Sequence, residues 1–312
     1  MKKEEFFYDS RDGVDRIHAV RYLPDEGRPV GILQIVHGMS EYFERYEATA
    51  KYFTDRGIVV VGEDHLGHGK SIPEGGRPGY MCRQDAATVI IRDVHRLKKI
   101  TQEIYPGVPY VILGHSMGSF IVRNYISKYG SGIDGAVLSG TGNVSGGTIG
   151  MLKVLAAVQR LIFGDRHVAK MIEKMSFAGY NKKIDNLRTP VDWLSVSSEN
   201  VDRYIADPLC GFTFTINGYR ALAELILRMY DQKGLASIPK DLKIYMISGG
   251  QDPIGEYGEG VKRAKQMLEE AGVGDVRLQL YPDDRHEIFN EDDADKVRED
   301  LYEWLKGNIL KE

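Results

Sequence analysis

The chain has 312 residues, of which 42% are hydrophobic and 28% charged, and its formal net charge is −4. These proportions predict a globular protein with a sizeable core, and the charge argues against a nucleic-acid partner, which usually requires a basic stripe. Two cysteines are too few for a disulfide framework, and no apolar run reaches the ~18 residues that span a bilayer. The charged first residues are not followed by the apolar core of a signal peptide, so we expect a cytoplasmic protein.

Strands alternate with helices as far as residue 139. A turn at Arg11-Asp12-Gly13 predicts a hairpin between strands at 6–11 and 14–23. The next predicted strands, identified by their apolar runs, lie at 31–36, 58–62, 110–113 and 133–139. The predicted helices of this part lie near 48–53, 84–104 and 120–129.

The alternation stops after residue 140. Between 140 and 238 the pattern predicts no buried strand, but helices near 148–163, 200–206 and 217–230. Strands resume at 242–248 and 276–281, and predicted helices at 258–271 and 292–306 follow them. The whole pattern predicts an α/β fold with a mostly parallel sheet and helices on both faces. We assign residues 1–140 and 239–312 to the core domain and residues 141–238 to a helical cap, or lid, insertion.

The first candidate functional residue is Ser116. It stands in Gly114-His115-Ser116-Met117-Gly118, directly after an apolar strand and before a helix. Gly-x-Ser-x-Gly in this position is typical of a nucleophile elbow, a strained turn that raises a serine above the sheet. The glycines leave room for the close approach of strand and helix. A serine needs a base, an acid and an oxyanion hole to act as a nucleophile.

Chain order and position select the partners of Ser116. In this architecture an acid and then a histidine follow the serine, each in a loop after a strand. His286 follows the last strand and is preferred to His167, which lies in the insertion. Asp252 follows the strand before it and is the predicted acid, with Glu256 in reserve. The oxyanion hole is predicted from backbone N–H groups of Met117 and Met39, because one follows the nucleophile and the other lies after an earlier strand. His37 precedes Ser116 and is interpreted as a structural brace rather than a base.

Four motifs resemble the α/β-hydrolase superfamily, and more narrowly its monoacylglycerol lipase and lysophospholipase-like branch. Three of them are the elbow, the His37-Gly38 loop that ends in Arg45-Tyr46, and the Asp64-His65-Leu66-Gly67-His68-Gly69-Lys70-Ser71 loop. The fourth is Asn200-Val201-Asp202-Arg203-Tyr204-Ile205-Ala206-Asp207-Pro208-Leu209 in the insertion, and it is more specific than the elbow. Tyr42 and Ser40 depart from the family pattern, which places histidine and frequently glycine there.

The resemblance implies a serine hydrolase without a metal or organic cofactor. Asp64, His65 and His68 are too closely spaced, among glycines, for a metal site to be favoured over a structural loop. Cys210 is either a reactive thiol or, by preference, a buried neutral one, and Trp193 is a candidate pocket wall. The predicted substrate contacts are His37, Gly38, Tyr42, His115, Leu152, Leu155, Trp193 and Cys210.

We therefore predict a small-molecule lipid ester as substrate, such as a monoacylglycerol or a lysophospholipid. The apolar helix at 149–163 either packs on the core, lines an acyl-chain channel or makes a transient contact with a membrane surface. Rival enzymes are a short-chain or other carboxylesterase, an acyltransferase and a proline-releasing aminopeptidase. A ligand-binding protein on a hydrolase fold is the alternative from a different class. The oligomeric state does not follow from the sequence.

Overall fold

The computed structural model describes residues 1–144 and 146–310, and eight strands form a single sheet. In chain order they are β1 (Lys2–Asp9), β2 (Arg16–Leu23), β3 (Gly31–Val36), β4 (Ile58–Glu63), β5 (Tyr110–His115), β6 (Gly135–Ser139), β7 (Lys243–Gly249) and β8 (Asp275–Tyr281). Across the sheet their order is β1-β2-β4-β3-β5-β6-β7-β8. The first two pairings are antiparallel and the other five are parallel. The predicted α/β fold with a mostly parallel sheet is thus confirmed.

The described part of the chain contains ten α-helices. They are α1 (Glu47–Thr54), α2 (Ala86–Ile104), α3 (Met117–Tyr129), α4 (Gly146–Phe163), α5 (Lys170–Ser176), α6 (Ser198–Ala206), α7 (Ile216–Arg228), α8 (Gln232–Ala236), α9 (Glu259–Glu270) and α10 (Ala294–Asn308). None of them is both long and apolar enough to cross a membrane. Helices α4 to α8 all lie in the insertion between β6 and β7.

The central strands are apolar because both faces of the sheet are covered. Helices α2, α3 and α9 pack on one face, where Val94, Ile121 and Leu268 are buried together. Helices α1 and α10 pack on the other, where Phe53 and Trp304 are buried. Every residue of β3, β4 and β5 is buried, as expected for parallel strands with two covered faces.

Three parts of the secondary structure differ from the sequence prediction. Strand β1 begins at Lys2 rather than at residue 6, because it is an edge strand whose mostly exposed side chains leave no apolar pattern. Helix α3 begins at Met117, directly after the elbow, rather than at residue 120. The short helices α5 and α8 were not predicted, because each buries one residue and so has almost no periodicity.

The parallel strands bring distant residues together at one edge of the sheet. Because β3, β5, β6, β7 and β8 run in the same direction, the loops after Val36, His115, Ser139, Gly249 and Tyr281 meet at their carboxyl ends. This is where open α/β sheets place their ligands.

Candidate active site

Ser116 occupies the sharp turn between β5 and α3. Its φ of 53° and ψ of −120° lie outside the regions that residues with side chains prefer. Two backbone hydrogen bonds hold the turn: Ser116 N–H donates to Ser139 O at 2.9 Å, and Ser119 N–H donates to Ser116 O at 2.9 Å. The strand–turn–helix geometry of a nucleophile elbow is therefore present, and Ser116 lines the cavity described below.

The glycines of the elbow allow α3 to approach the sheet closely. A Cβ atom on Gly118 would lie 1.9 Å from Val36 O, in the backbone of β3. A Cβ atom on Gly114 would lie 2.3 Å from Gly118 O. Neither contact is sterically possible, so the two glycines are needed for packing rather than for a positive φ.

His286 and Asp252 form a buried hydrogen-bonded pair. His286 Nδ1 lies 2.8 Å from Asp252 Oδ2, and the two side chains are 2% and 0% exposed. Asp252 Oδ1 also accepts a hydrogen bond from Ile254 N–H at 2.8 Å, which fixes the carboxylate. Burial lowers the pKa of His286, but the Asp252, Glu287 and Glu41 carboxylates outweigh burial and raise it above the ordinary histidine value. The site therefore favours a positive charge on this imidazole.

Two rings and one glycine confine the imidazole of His286. The His115 ring lies 4.7 Å from it and the Trp193 indole 5.3 Å from it, centroid to centroid. Gly140, which follows β6 with a φ of 56°, would place a Cβ atom 2.9 Å from His286 Cε1. Gly140 was not predicted as a site residue, because a glycine at a strand end has no chemical signature in the sequence.

The loop after β3 brings a second backbone N–H to the elbow. A Cβ atom on Gly38 would lie 3.1 Å from Ser116 Cβ, so this loop passes directly over the serine. Met39 and Met117 both line the same cavity as Ser116. Neither of their N–H groups has an acceptor among residues 1–144 and 146–310, so both are available to an oxyanion. Ser40 completes the loop with a φ of 56°, a strained value that glycine would adopt freely.

Three buried histidines brace this loop from below. His37 Nδ1 donates to Gly38 O at 2.8 Å, and His37 Nε2 accepts from His65 N–H at 3.0 Å. Burial lowers the pKa of His37 well below its usual range, that of His65 to about 4 and that of His68 to about 3. All three are neutral packing groups at ordinary pH. In the described part of the chain no group of three or more His, Cys, Asp or Glu side chains is arranged to hold a metal ion.

A cavity of about 500 Å³ opens above Ser116, between the sheet edge and the insertion. Its wall on the core side includes Gly38, Met39, His115, Ser116, Met117, Phe120 and His286. Its wall on the insertion side includes Leu152, Leu155, Ile172, Phe177, Tyr180, Trp193, Phe212, Tyr219, Leu222 and Ile226. Most of the wall is apolar or aromatic, as in a site for an acyl chain, although the charged residues Glu41, Glu173, Lys174 and Glu287 also line it.

Five of the eight predicted substrate contacts line this cavity: Gly38, His115, Leu152, Leu155 and Trp193. The other three predicted contacts, His37, Tyr42 and Cys210, do not line it. His37 is buried under the loop, as described above. The Tyr42 hydroxyl donates to Asp207 Oδ2 at 2.8 Å, which turns it toward the insertion. Cys210 is buried, and burial raises the pKa of its thiol well above the usual value, so it is not a reactive thiolate.

The less favoured base, His167, and the reserve acid, Glu256, lie away from Ser116 in other contacts. His167 stacks on Phe163 in the insertion, with 4.6 Å between ring centroids. Glu256 pairs with Arg263 at the surface. Seven of the ten insertion residues named above were not among the predicted contacts, and four of these, Ile172, Phe177, Tyr180 and Phe212, come from α5 or from loops without periodicity. The spacing of Tyr219, Leu222 and Ile226 on one face of α7 is the one signal that could have identified part of this wall.

Comparisons with known proteins identify relatives of this chain. The family described as "Serine aminopeptidase, S33" matches residues 27–293. The monoglyceride lipase of Homo sapiens is 31% identical over 87% of this chain and 80% of its own length. The monoacylglycerol lipase of Mycolicibacterium smegmatis is 28% identical over 92% of each chain. A crystal structure of a carboxyl esterase from Bacillus coagulans, in complex with glycerol, superimposes with a TM-score of 0.90 at 33% identity and covers 99% of both chains.

The likeness extends over nearly the whole chain and includes the sheet, the elbow and the insertion. A match of this extent is sufficient to assign the family. The chain belongs to the serine aminopeptidase S33 family of the α/β-hydrolase superfamily, within the branch that resembles monoacylglycerol lipases.

Proposed function

We propose that this protein is a serine hydrolase that cleaves carboxylic esters of small lipids through an acyl-enzyme on Ser116. The observation that carries the proposal is the presence of Ser116 and of the Asp252-paired His286 in the wall of one largely apolar cavity. The monoacylglycerol lipases and the carboxyl esterase described above support the same reaction. A monoacylglycerol or a lysophospholipid suits the cavity, because each has one acyl chain on a small polar alcohol.

In the proposed reaction the Ser116 hydroxyl attacks the ester carbonyl carbon, and His286 accepts its proton. Asp252 holds the imidazole in the required tautomer and stabilises the imidazolium. The N–H groups of Met39 and Met117 donate to the oxyanion of the tetrahedral intermediate. His286 then protonates the leaving alcohol, the C–O bond breaks, and the acyl group remains esterified to the serine.

Hydrolysis of the acyl-enzyme repeats these steps with water. His286 removes a proton from the water as it attacks the acyl carbon, and the same two N–H groups bind the second oxyanion. Collapse of that intermediate releases the carboxylic acid and returns the proton to Ser116. Each N–H group is placed by backbone rather than by a mobile side chain, so little reorganisation accompanies the charge development.

We also propose that residues 141–238 act as a cap on a core domain formed by 1–140 and 239–312. The proposed catalytic residues all come from the core, whereas α4, α5 and α7 contribute Leu152, Ile172 and Leu222 to the cavity. A substrate would therefore meet its reactive groups on one side and its acyl-chain contacts on the other. This division assigns the choice of substrate to the insertion.

An aminopeptidase is the rival reaction that one observation favours. Such an enzyme needs a carboxylate in the cap to hold a substrate ammonium group, and the insertion carboxylate Glu173 lines the cavity. Three other carboxylates of the insertion are engaged: Asp202 with Arg188, Asp207 with Tyr42, and Glu224 with Arg228. Glu173 itself accepts a hydrogen bond from Thr213 Oγ1 at 2.8 Å, and most of the surrounding wall is apolar. We therefore prefer the lipid ester.

Two measurements test the proposal. Ser116→Ala is expected to abolish both ester turnover and labelling by a fluorophosphonate probe, and retention of either would contradict the serine mechanism. p-Nitrophenyl esters of increasing chain length and amino-acid anilides should then be compared on the unaltered enzyme. We expect esters of medium or long chains to be cleaved fastest, and a preference for anilides would establish the aminopeptidase instead. Binding of esters without turnover or acylation would indicate a ligand-binding protein.

We further propose that the outer surface of the insertion makes transient contact with lipid. The α4–α5 patch consists of exposed apolar residues: Met151, Val154, Val158, Leu161, Ile162, Phe163, Met171 and Met175. Contiguous exposed apolar surface of this kind usually marks an interaction site. A cytoplasmic location remains a prediction, supported by the two cysteines, Cys82 and Cys210, which are both free and buried.

A further inference from the structure

A buried ionic cluster lies beside the oxyanion loop and has no part in the mechanism above, although two of its members, Glu41 and Glu287, line the cavity that contains Ser116. The side chains of Glu41, Arg45 and Glu287 are only 3%, 9% and 4% exposed. Glu41 and Arg45 follow β3, whereas Glu287 is the residue after His286 in the loop that follows β8. Charged groups buried to this extent must be paired, because an isolated buried charge is costly. We call these three residues the Glu41–Arg45–Glu287 cluster.

Glu41 holds the loop that supplies the proposed oxyanion donor. Its Oε1 accepts hydrogen bonds from Gly38 N–H at 2.6 Å and from the Tyr46 hydroxyl at 2.9 Å. Gly38 directly precedes Met39, so this contact fixes the peptide next to the one whose N–H would bind the oxyanion. A Cβ atom on Gly38 would lie 2.7 Å from Glu41 Oε1 and 3.1 Å from Ser116 Cβ. The loop is thus wedged between the carboxylate and the nucleophile.

Arg45 joins this loop to the one that carries His286. Its Nη1 donates to Glu41 Oε2 at 2.8 Å and to Glu287 Oε1 at 2.7 Å, and its Nη2 donates to Glu287 Oε2 at 2.8 Å. The planar guanidinium therefore binds Glu287 through two parallel hydrogen bonds, which fix direction as well as distance. Glu287 and His286 are adjacent in the chain and are joined by one peptide bond. A shift of Arg45 would consequently move both the oxyanion loop and the base.

Two residues of the insertion also contact this cluster. Asn200 of α6 accepts from Arg45 Nη2 at 3.3 Å and donates from Nδ2 to Glu287 Oε2 at 2.7 Å. The Tyr204 ring lies 5.0 Å from the Arg45 guanidinium, and its hydroxyl donates to Ser40 O at 3.2 Å. Arg45 is therefore enclosed by the oxyanion loop, the His286 loop and α6.

We propose that Glu41, Arg45 and Glu287 are positioning residues that hold the oxyanion donor of Met39 and the base His286 in their catalytic alignment. Asn200, through its hydrogen bonds to Arg45 and Glu287, connects the insertion to these positioning residues. The inference rests on the proposed function and assigns new roles to residues that do not touch the reacting atoms. Its physical basis is preorganisation, since donors already aimed at the developing charge require no rearrangement during the reaction.

The charges of the cluster also act on His286. Burial raises the pKa of Glu287, but the Arg45 guanidinium and the Asn200 amide outweigh burial and lower it to about 2. Burial and the Glu287 charge raise the pKa of Glu41 in spite of Arg45. The groups that face His286 are Asp252, Glu287, Glu41 and the neutral His115. The ionised Glu287 therefore supports the imidazolium alongside Asp252.

The decisive experiment measures catalysis per active site in Glu41→Gln and Glu287→Gln. The fraction of competent sites is counted by complete titration with a fluorophosphonate, so loss of folded protein does not lower the rate per site. The matched control is Arg188→Met, which removes another bidentate arginine–carboxylate pair, the exposed one with Asp202. An exposed pair of this kind contributes little.

We expect Glu41→Gln to lower kcat at least about tenfold while KM changes less than about twofold, since the lost effect belongs to the transition state. Loss of a whole oxyanion donor costs about 10²–10³, and an indirect effect should be smaller. Affinity for a fatty trifluoromethyl ketone, which forms an oxyanion on Ser116, should fall in parallel with kcat. Arg188→Met should leave all three values unchanged.

Glu287→Gln tests the same inference through the pH profile. Removing the carboxylate should lower the pKa of His286 and move the acidic limb of kcat/KM to lower pH. A purely structural role would reduce the melting temperature and the number of competent sites but would leave this limb in place. Should Glu41→Gln fail to fold, the pH profile of Glu287→Gln decides by itself.

The inference is overturned if both variants keep the wild-type kcat per titrated site and the wild-type acidic limb. That result is distinct from failure of the proposed function, which would appear as retained ester turnover in Ser116→Ala. If Ser116→Ala is inactive while Glu41→Gln and Glu287→Gln behave as wild type, the serine mechanism stands and only the positioning role is lost.

Discussion

At the scale of single residues, the imidazole of His286 experiences opposing influences. Burial disfavours its charged form, whereas three carboxylates favour it, and the carboxylates prevail. A general base must be neutral, so activity should fall as the pH drops through a pKa that lies above the ~6.5 of an unperturbed histidine.

Replacement of the acid tests this balance. Asp252→Asn is expected to lower kcat by about 10⁴, because the amide no longer selects the correct tautomer. The acidic limb of the residual kcat/KM should move to lower pH, since a charge that favours the imidazolium has been removed. Both are read from pH–rate profiles with a p-nitrophenyl ester. Glu256→Gln is the control, and a comparable loss of activity there would make Glu256 the acid.

At the scale of elements, the approach of α3 to the sheet depends on the absence of one side chain. Gly118 lies at the second position of α3, and a Cβ atom on it would clash with Val36 O of β3. The contact involves the backbone on the sheet side, which cannot move aside without shifting the buried β3 strand. On the strand side, a Cβ atom on Gly114 would in turn clash with the backbone of α3.

Gly118→Ala is therefore expected to destabilise the protein by about 3 kcal/mol or more, or to prevent folding. Gly147→Ala in α4 is the matched control, because nothing lies within 4 Å of the Cβ atom it would add. In that exposed helix, alanine should be neutral or stabilising by up to about 1 kcal/mol. Chemical denaturation of the two variants makes the comparison, and equal stabilities would show that α3 can shift away from the sheet.

The insertion illustrates how elements share a task. Helix α7 joins the main core through Leu225 and Ile226 and also lines the cavity with Tyr219 and Leu222. An Asn124 side chain of α3 donates to Leu225 O at 2.9 Å, which ties the two helices together. A single apolar helix thus both packs on the core and lines the cavity, and Tyr219 and Ile226 take part in both.

At the scale of the whole molecule, buried carboxyl groups connect folding to pH. Glu63 is 1% exposed, and burial raises its pKa to about 8 although the Tyr8 hydroxyl donates to it. Burial and the neighbouring Glu63 raise the pKa of Asp93 to about 7. A raised native pKa means that the unfolded chain releases its proton first. The stabilising contribution of Glu63 is complete below its ordinary pKa of 4.5 and is lost as the pH rises to about 8.

Glu63→Gln should remove that dependence. Between pH 5 and pH 8, the free energy of unfolding of the variant should decline less steeply than that of the wild type, by up to about 1.4 kcal/mol per pH unit. Urea denaturation at several pH values measures both slopes. The exposed Glu26→Gln is the control and should leave the slope unchanged. Identical slopes for wild type and Glu63→Gln would show that Glu63 is ionised in the native protein.

The α4–α5 patch provides a second prediction at this scale. Leu161 is 88% exposed within it, and cationic residues such as Lys153 and Lys170 lie nearby on the same helices. Leu161→Glu is expected to weaken sedimentation with anionic lipid vesicles severalfold, because it removes apolar area and adds repulsion. Turnover of a water-soluble short-chain ester should not change.

Val14→Glu is the matched control for this experiment. Val14 is 85% exposed, almost as much as Leu161, but it lies in the hairpin between β1 and β2. Its replacement should not affect vesicle binding. Equal binding of the Leu161→Glu variant and the wild type would exclude the patch as a lipid-contact surface.

Much of the fold and the reactive centre was predictable because its signals are local. Apolar runs marked the parallel strands, and loops at their ends marked Ser116, Asp252 and His286 before any of them was known to be close to another. The parallel sheet then brings Asp252 and His286 within hydrogen-bond distance, although 34 residues separate them. Their order in the chain, together with the parallel direction of the strands that precede them, was enough to predict that they meet.

The sequence alone therefore determined the strand–helix rhythm, the elbow and the candidates for the acid and the base, since each depends on neighbours in the chain. Only the tertiary structure decided the cavity wall, the role of Gly140 and the contact of Arg45 with Glu287, which are 242 residues apart. It also showed that His37, Tyr42 and Cys210 do not line the cavity that contains Ser116. The physical reason is that burial, pairing of charges and close approach are properties of surfaces that meet in space, and a one-dimensional pattern does not contain them.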